Sequence, residues 1–310
     1  MTRTPFIDEG ALRQQMDEGL TREQCLIIVA RSAVIRHLAT HLTHKDNFVL
    51  KGGALLHHVY TSPRFSVKDA DFIHLNPEEL DLTKVTDALT IRDEATGFLL
   101  EAEDGRWTTE NEIYDGQQIP FSIEGQVEVK LEEGNMAISV CVRRGERLDE
   151  NAEPLLYTDA MLAGQKTFEV QGLTRDELAA EKILGWCSKE LMPKHYVDLG
   201  ILARDHSEHL NLELVADLVR RKFEFEKGAR RYRDANISDL RAVRREFFSP
   251  TKIDQVAVGW EETLQNEVVL SSEEDGPGSF VAWERVVAVV EEFWRRAFDI
   301  LAPDPRSLPR

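Results

Sequence analysis

Residues 48–75, FVLKGGALLHHVYTSPRFSVKDADFIHL, set a Lys-Gly-Gly turn and an Asp-x-Asp pair close together, each on the end of an apolar run. NFVL is short and β-prone and ALLHHVY starts a helix, so Lys51, Gly52 and Gly53 fall at a strand-to-helix junction. Glycines there let backbone N–H groups approach a ligand, and the start of a helix favours an anion. DADFIHL alternates as a strand does: Asp69, Asp71 and Ile73 share one face, and Ala70, Phe72 and His74 the other. Two same-face carboxylates lie roughly 7 Å apart along a strand and repel unless a divalent cation shares them. Oxygen donors of this kind suit Mg2+ (or Mn2+), which takes one or two carboxylates together with substrate phosphates. Arg64, Ser66 and Lys68 lie between the two motifs. Glycine amides and cations for a triphosphate, with carboxylates for its metal, make one phosphoryl-transfer site. A packing turn and a solvated acidic strand end are the plainer readings of either motif alone.

Two charged positions in the second half belong beside them. Lys182, in LAAEKILGW, lies four residues after Leu178 and so beside an apolar helix face. Asp198, in KHYVDLGILAR, is the i,i+4 neighbour of Lys194 and shares its face with Leu202. A charge on an apolar stripe is costly unless it is paired or lines a cleft. A surface Lys194–Asp198 pair and a snorkelling Lys182 are the alternative.

The elements that must position these groups follow from pattern. TREQCLIIVARSAVIRHLATHL (21–42) reads as a helix opened by Thr21. Residues 47–150 mix short β-branched runs with turns, among them GQVEVKLEE and MAISVCVRR. From about 174 the pattern turns helical, with Thr174 and Glu177 as a capping box and Pro193 in a first turn. Three further helices and an acidic loop over 271–279 follow, and the joint between the halves is expected near 155–173.

Composition narrows the function classes. The net charge is −18, which repels nucleic acid and anionic membrane except at a local basic patch. Residues 220–252 form such a patch, with eleven Lys and Arg against five Asp and Glu and Phe223, Phe225 and Tyr232 interleaved. It is the first place to look for a nucleic-acid partner, with a solvated helix face as the other reading. Three dispersed cysteines without a CxxC argue against a disulfide framework and a structural zinc site. No basic-then-apolar leader and no run near the roughly 18 apolar residues of a membrane span are present. A cytoplasmic protein with no membrane partner is expected.

LKGGALL…PRFSVKDADF resembles the first motif of the AbiEii/AbiGii toxin family of nucleotidyltransferases, in the DNA polymerase β-like superfamily, which includes MenT-type toxins. YDGQQIPFSIEG and ISVCVRRGE resemble the family's next strands, and LAAEKILGW and KHYVDLGILAR its two helical motifs, over about 48–205. The resemblance implies an α+β fold: a polymerase β-like nucleotidyltransferase domain with a mixed sheet and an N-terminal helix (1–165), then a helical domain (166–310) that completes the active site. It implies transfer of NMP from an NTP to an acceptor hydroxyl, with pyrophosphate released. Asp69 and Asp71 would hold the metal, and Lys51, Gly52, Gly53, Arg64, Ser66 and Lys68 the nucleotide. Lys182 would meet phosphates, with Asp198 also in the site. The implied role is the toxin of a toxin–antitoxin or phage-defence pair, with a cognate antitoxin as partner. The tRNA 3′ end is the acceptor that the MenT-type members suggest, reached through 220–252.

One position departs from the family pattern. A third acidic residue often stands on the strand matching ISVCVRRGE, where this chain has Cys141. An ordinary thiol is mostly protonated near neutral pH and is a poor Mg2+ ligand. Either Glu128 or Asp198 substitutes, or the chemistry is weaker. A non-catalytic nucleotide-binding or interaction module of the same fold therefore stays open, as does modification of a protein hydroxyl.

Overall fold

Strand alternation in the first half builds one mixed sheet. The computed structural model describes residues 7–17, 20–40, 47–60, 69–76, 79–114, 117–131, 137–144, 152–162, 167–187, 193–226, 239–258 and 283–302. Contacts divide the chain into two units, Met1–Leu173 and Thr174–Arg310.

The first unit holds β1 (Phe48–Lys51), β2 (Asp69–His74), β3 (Ile91–Arg92), β4 (Leu99–Ala102), β5 (Arg106–Tyr114), β6 (Gln117–Leu131), β7 (Ala137–Arg144), β8 (Ala152–Thr158) and β9 (Thr167–Leu173). Their order is β3-β4-β6-β7-β2-β1-β9-β8, with β5 paired to the long β6. The β1–β9 and β2–β7 pairs are parallel and the rest antiparallel. The sheet thus continues through β8 and β9, in the span where the pattern suggests a joint. Those strands read poorly in sequence because their outward residues, such as Glu153, Pro154 and Leu156, are mixed in character.

Period-two burial sorts the central strands into two faces. Ala70 and Phe72 of β2, Val127 and Val129 of β6, and Ile138, Val140 and Val142 of β7 are buried. Asp69, Asp71, Ser139 and Cys141 are half-buried, and Gln126, Glu128 and Lys130 are exposed. Helix α1 (Glu9–Asp17) packs on α2 (Arg22–Thr40), which lies against β1, β2, β7 and β9. Thr21 and Gln24 cap α2 reciprocally: Gln24 N donates to Thr21 Oγ1 at 3.1 Å and Thr21 N to Gln24 Oε1 at 2.8 Å. Helix α3 (Gly52–His58) follows β1, and α4 (Leu82–Leu89) packs on α2, β4 and β6.

Helix α2 carries the buried polar side chains Arg31, Ser32 and Arg36, and each places at least one polar atom against a partner. Arg31 reaches His58, Ser32 donates to Asp159, and Arg36 pairs with Asp93, which His37 also contacts at 2.9 Å. Burial alone would raise Asp93, yet hydrogen bonds from His37, Thr96 and Arg36 hold its carboxyl well below the usual carboxylate range.

Helices alone are found among the described elements of the second unit: α5 (Arg175–Cys187), α6 (Pro193–Asp205), a short 3-10 turn (Ser207–His209), α7 (Leu212–Glu226), α8 (Leu240–Phe247), α9 (Pro250–Val258) and α10 (Trp283–Leu301). Helices α5, α6, α7 and α10 pack on one another. Two indoles tie this core to backbone: Trp186 Nε1 donates to the Phe247 carbonyl at 3.1 Å and Trp294 Nε1 to that of Leu199 at 3.0 Å. The capping box at Thr174 is half made. Glu177 N donates to Thr174 Oγ1 at 3.3 Å, while the Glu177 carboxylate lies 2.5 Å from Lys222 Nζ. The expected fold class is the observed one, an α+β unit with a mixed sheet followed by a predominantly helical region. Among the described residues no helix is long and apolar enough to cross a membrane.

Candidate active site

Strands β1 and β2 are antiparallel neighbours, and their register sets Lys51 opposite Asp71. Strand β2 runs parallel to β7, with Asp69 beside Ser139 and Asp71 beside Cys141. Strand β7 pairs in turn with β6, putting Ser139 opposite Glu128 and Cys141 opposite Gln126. In-register residues of adjacent strands share a face. The polar face therefore carries two rows: Lys51, Asp71, Cys141 and Gln126 in one, and Asp69, Ser139 and Glu128 in the next. Ser139 Oγ and Cys141 Sγ are 3.6 Å apart.

The turn after β1 is shaped by Asp71. Gly52 has φ +71°, a left-handed conformation that L side chains rarely adopt. A Cβ there would collide with Asp71 Oδ2 and lie 3.1 Å from its Cγ. Lys51 before it is extended, with φ −141° and ψ −167°, and the seven-residue α3 opens at Gly52. The antiparallel pairing of β1 with β2 brings the backbone of this turn against that carboxylate.

Asp69 and Asp71 share the face that the alternation predicts. Among the described residues no group of three or more His, Cys, Asp and Glu is arranged to hold a metal ion. Asp69 and Asp71 are half-buried oxygen donors, of the kind a hard divalent cation takes together with water and substrate oxygens. Arg64, Ser66 and Lys68 lie outside the described residues.

In the second unit the register of two helices brings Lys182 and Asp198 together. Lys182 Nζ lies 2.6 Å from Asp198 Oδ2, with side-chain exposures of 8% and 0%. Helices α5 and α6 approach tightly here, since a Cβ on Gly185 would sit 2.9 Å from His195 Nε2. The acid on the apolar face thus meets Lys182, sixteen residues away, rather than forming the surface pair with Lys194. Of the two carboxylates named as candidates for the third acid, Asp198 is buried against Lys182, whereas Glu128 is exposed on the face of Asp69.

The basic segment 220–252 is partly structural. Arg220 and Arg221 pair with Asp217 at 3.2 and 3.0 Å, and Lys222 is buried against Glu177 and Glu181. Phe223 is in the core. Lys252 is buried, donates to the Trp186 carbonyl, and has its pKa lowered by burial. Lys227, Arg230, Arg231 and Arg233 lie outside the described residues. Pattern alone did not single out Ser139, whose place beside Asp69 depends on strand pairing, or Arg295, which joins part of this segment only through helix packing.

Three comparisons bear on this geometry. The profile of the family described as "Nucleotidyl transferase AbiEii toxin, Type IV TA system" matches residues 34–275. No curated protein matches the sequence. A solved structure of a candidate nucleotidyltransferase from H. pylori superposes with TM-score 0.50 at 14% identity, covering 91% of this chain and 97% of that one. At this identity the likeness shows a shared fold. JHP933 from Helicobacter pylori gives TM-score 0.49, also at 14% identity, with 91% and 95% covered. The matched span holds Lys51, Gly52, Gly53, Asp69, Asp71, Lys182 and Asp198. This chain belongs to the nucleotidyltransferase AbiEii toxin family of type IV toxin–antitoxin systems, within the polymerase β-like nucleotidyltransferase superfamily.

Proposed function

We propose that this nucleotidyltransferase moves a nucleoside monophosphate from an NTP to an acceptor hydroxyl, with Mg2+ or Mn2+ held by Asp69 and Asp71. The observation that carries the reading is the row of Lys51, Asp71 and Cys141, with Asp69 one step along the same face and Gly52 pressed against the Asp71 carboxylate. When bound, such a cation draws charge from the phosphate oxygens and aligns the triphosphate for in-line displacement.

The chain's own groups supply the rest of the chemistry. Lys51 neutralises phosphate charge beside Asp71, and the Gly52 and Gly53 amides donate to phosphate oxygens. Arg64, Ser66 and Lys68 extend the nucleotide site. Lys182 is a further phosphate contact, and Asp198 holds its ammonium in place. The acceptor oxygen bonds to the α-phosphorus while the bond to the bridging oxygen breaks, and pyrophosphate leaves with the electron pair. We assign the acceptor's proton to Glu128, the exposed carboxylate on the face of Asp69.

The acceptor we favour is an RNA 3′ end, that of tRNA, which the MenT-type resemblance suggests. NTP and tRNA are both cytoplasmic, and the family's toxin–antitoxin character supplies an antitoxin protein as the cognate partner. The test is incubation with each α-labelled NTP, Mg2+ and either total RNA or total protein. Label in RNA supports the reading. Label in protein alone moves the acceptor to a protein hydroxyl, and label in neither pool overturns transfer.

A further inference from the structure

The second unit has a concave, strongly cationic surface. Arg241, Arg244, Arg245 and Arg295 line a shallow cleft of about 400 Å³ with Phe248 and Ser249, and no acidic side chain lines it. The cleft is built from α8, α10 and the α8–α9 turn, all in the helical unit.

Its wall is fixed. Arg244 donates to the Ala302 carbonyl at 2.7 Å, to that of Phe298 at 3.3 Å, and to Asp299 Oδ1 at 2.7 Å. Arg295 lies over the Phe248 ring, 5.2 Å from its centroid, and Phe248 packs edge-on against Phe247 and Phe298. The acids nearby offset little of this charge. Asp299 is taken by Arg244, and Glu291 reaches Arg295 only at 4.0 Å across a helical turn. Arg241 and Arg245 are exposed, stand one turn apart on α8, and make no ion pair with the described residues. In a chain of net charge −18, this concentration of exposed guanidinium is a local exception.

We propose that this cleft binds the phosphodiester backbone of an RNA strand, through Arg241, Arg245 and Arg295. The proposal rests on the RNA-acceptor reading above and gives that acceptor a place on the protein. Guanidinium forks match phosphate oxygens two at a time, and the plane of Arg295 and the ring below it offer a base a stacking surface. A patch of a few arginines favours a strand over a folded acidic partner. A stable protein interface buries about 800 Å² per side, whereas a polyanion gains affinity from a few phosphate contacts by releasing counterions.

The experiment is fluorescence anisotropy of a labelled single-stranded RNA against salt, with wild type, Arg241→Ala/Arg245→Ala and Arg241→Lys/Arg245→Lys. Both arginines are exposed, so thermal midpoints should match. The alanine pair should weaken binding about tenfold and flatten the log–log salt slope by about 1.4, as for two lost single-strand phosphate contacts. The lysine pair should keep most of the slope. Wild-type protein that does not bind RNA, or an alanine pair with unchanged affinity and slope, overturns the proposal. Asp69→Asn should leave RNA affinity unaltered. RNA binding that depends on these arginines in a protein that transfers no nucleotide would therefore overturn the proposed reaction and leave the cleft standing.

Discussion

Gly52 and Asp71 are pressed together: a side chain at position 52 would occupy the space of the Asp71 carboxylate. Gly52→Ala should cost about 1–2 kcal/mol for the left-handed backbone alone, and more for the collision. It should also displace Asp71 and lower nucleotide transfer well beyond the loss of folded protein. Urea denaturation beside a transfer assay checks this; full transfer by the variant would break the link between turn and carboxylate.

Glu128 shares a face with Asp69 and is exposed, so it adds little to stability. Glu128→Gln should leave the unfolding midpoint unchanged and slow transfer by about 10²–10⁴-fold, the range for loss of a general base. Cys141→Ser should transfer normally, since no step uses the thiol. An unchanged rate in Glu128→Gln would assign the proton elsewhere.

Lys182 and Asp198 form a buried pair in the helical unit. Truncating either partner strands a buried charge, so Lys182→Ala and Asp198→Ala should each cost about 3–5 kcal/mol. The Lys182→Met/Asp198→Leu double variant should cost less than the sum. Calorimetry below the unfolding transition separates roles: Lys182→Ala should weaken triphosphate binding more than monophosphate binding. Equal loss for both ligands would make the pair structural only.

Acid sensitivity should trace to His58. Its Nε2 lies 2.7 Å from Arg31 Nη2, and a guanidinium can only donate, so Nε2 accepts and Nδ1–H donates to the Thr158 carbonyl at 2.9 Å. Burial, with His57 and Arg31 beside it, lowers its pKa well below the ordinary histidine value. The unfolded chain then takes a proton below about pH 6.5 that the folded chain refuses. Stability should fall as pH drops below that value, by up to about 1.4 kcal/mol per unit. Asp93, held low, withdraws its contribution only below about pH 4, while Asp159, raised by burial, acts in the opposite sense. His58→Gln keeps an acceptor for Arg31 and should flatten the slope between pH 6.5 and 5. An unaltered slope would clear His58.

What the sequence showed depended on range. The DAD strand, the KGG turn and the capped α2 were legible because each is local: period-two alternation, a glycine pair and a cap within three residues. The Lys182–Asp198 pair was not, because the i,i+4 rule proposes Lys194 while helix packing at Gly185 selects Lys182. Lys222 and Lys252 counted toward a basic patch in sequence, yet tertiary structure buries both. Glu128 was one of two candidates for the third acid, and only strand register aligns it with Asp69. Arg295 joined the arginine cleft from about fifty residues away, through the packing of α10 on this unit.

The most direct test of the central claim is the rate of labelled NMP transfer to RNA by wild type, Asp69→Asn and Asp71→Asn, with Mg2+ and with EDTA. Both substitutions conserve shape and sit on a half-exposed face, so circular dichroism and the thermal midpoint should match the wild type. The account predicts that each carboxamide, and the chelator, reduces transfer by at least about a hundredfold. A folded Asp69→Asn or Asp71→Asn variant that labels RNA at the wild-type rate would contradict it.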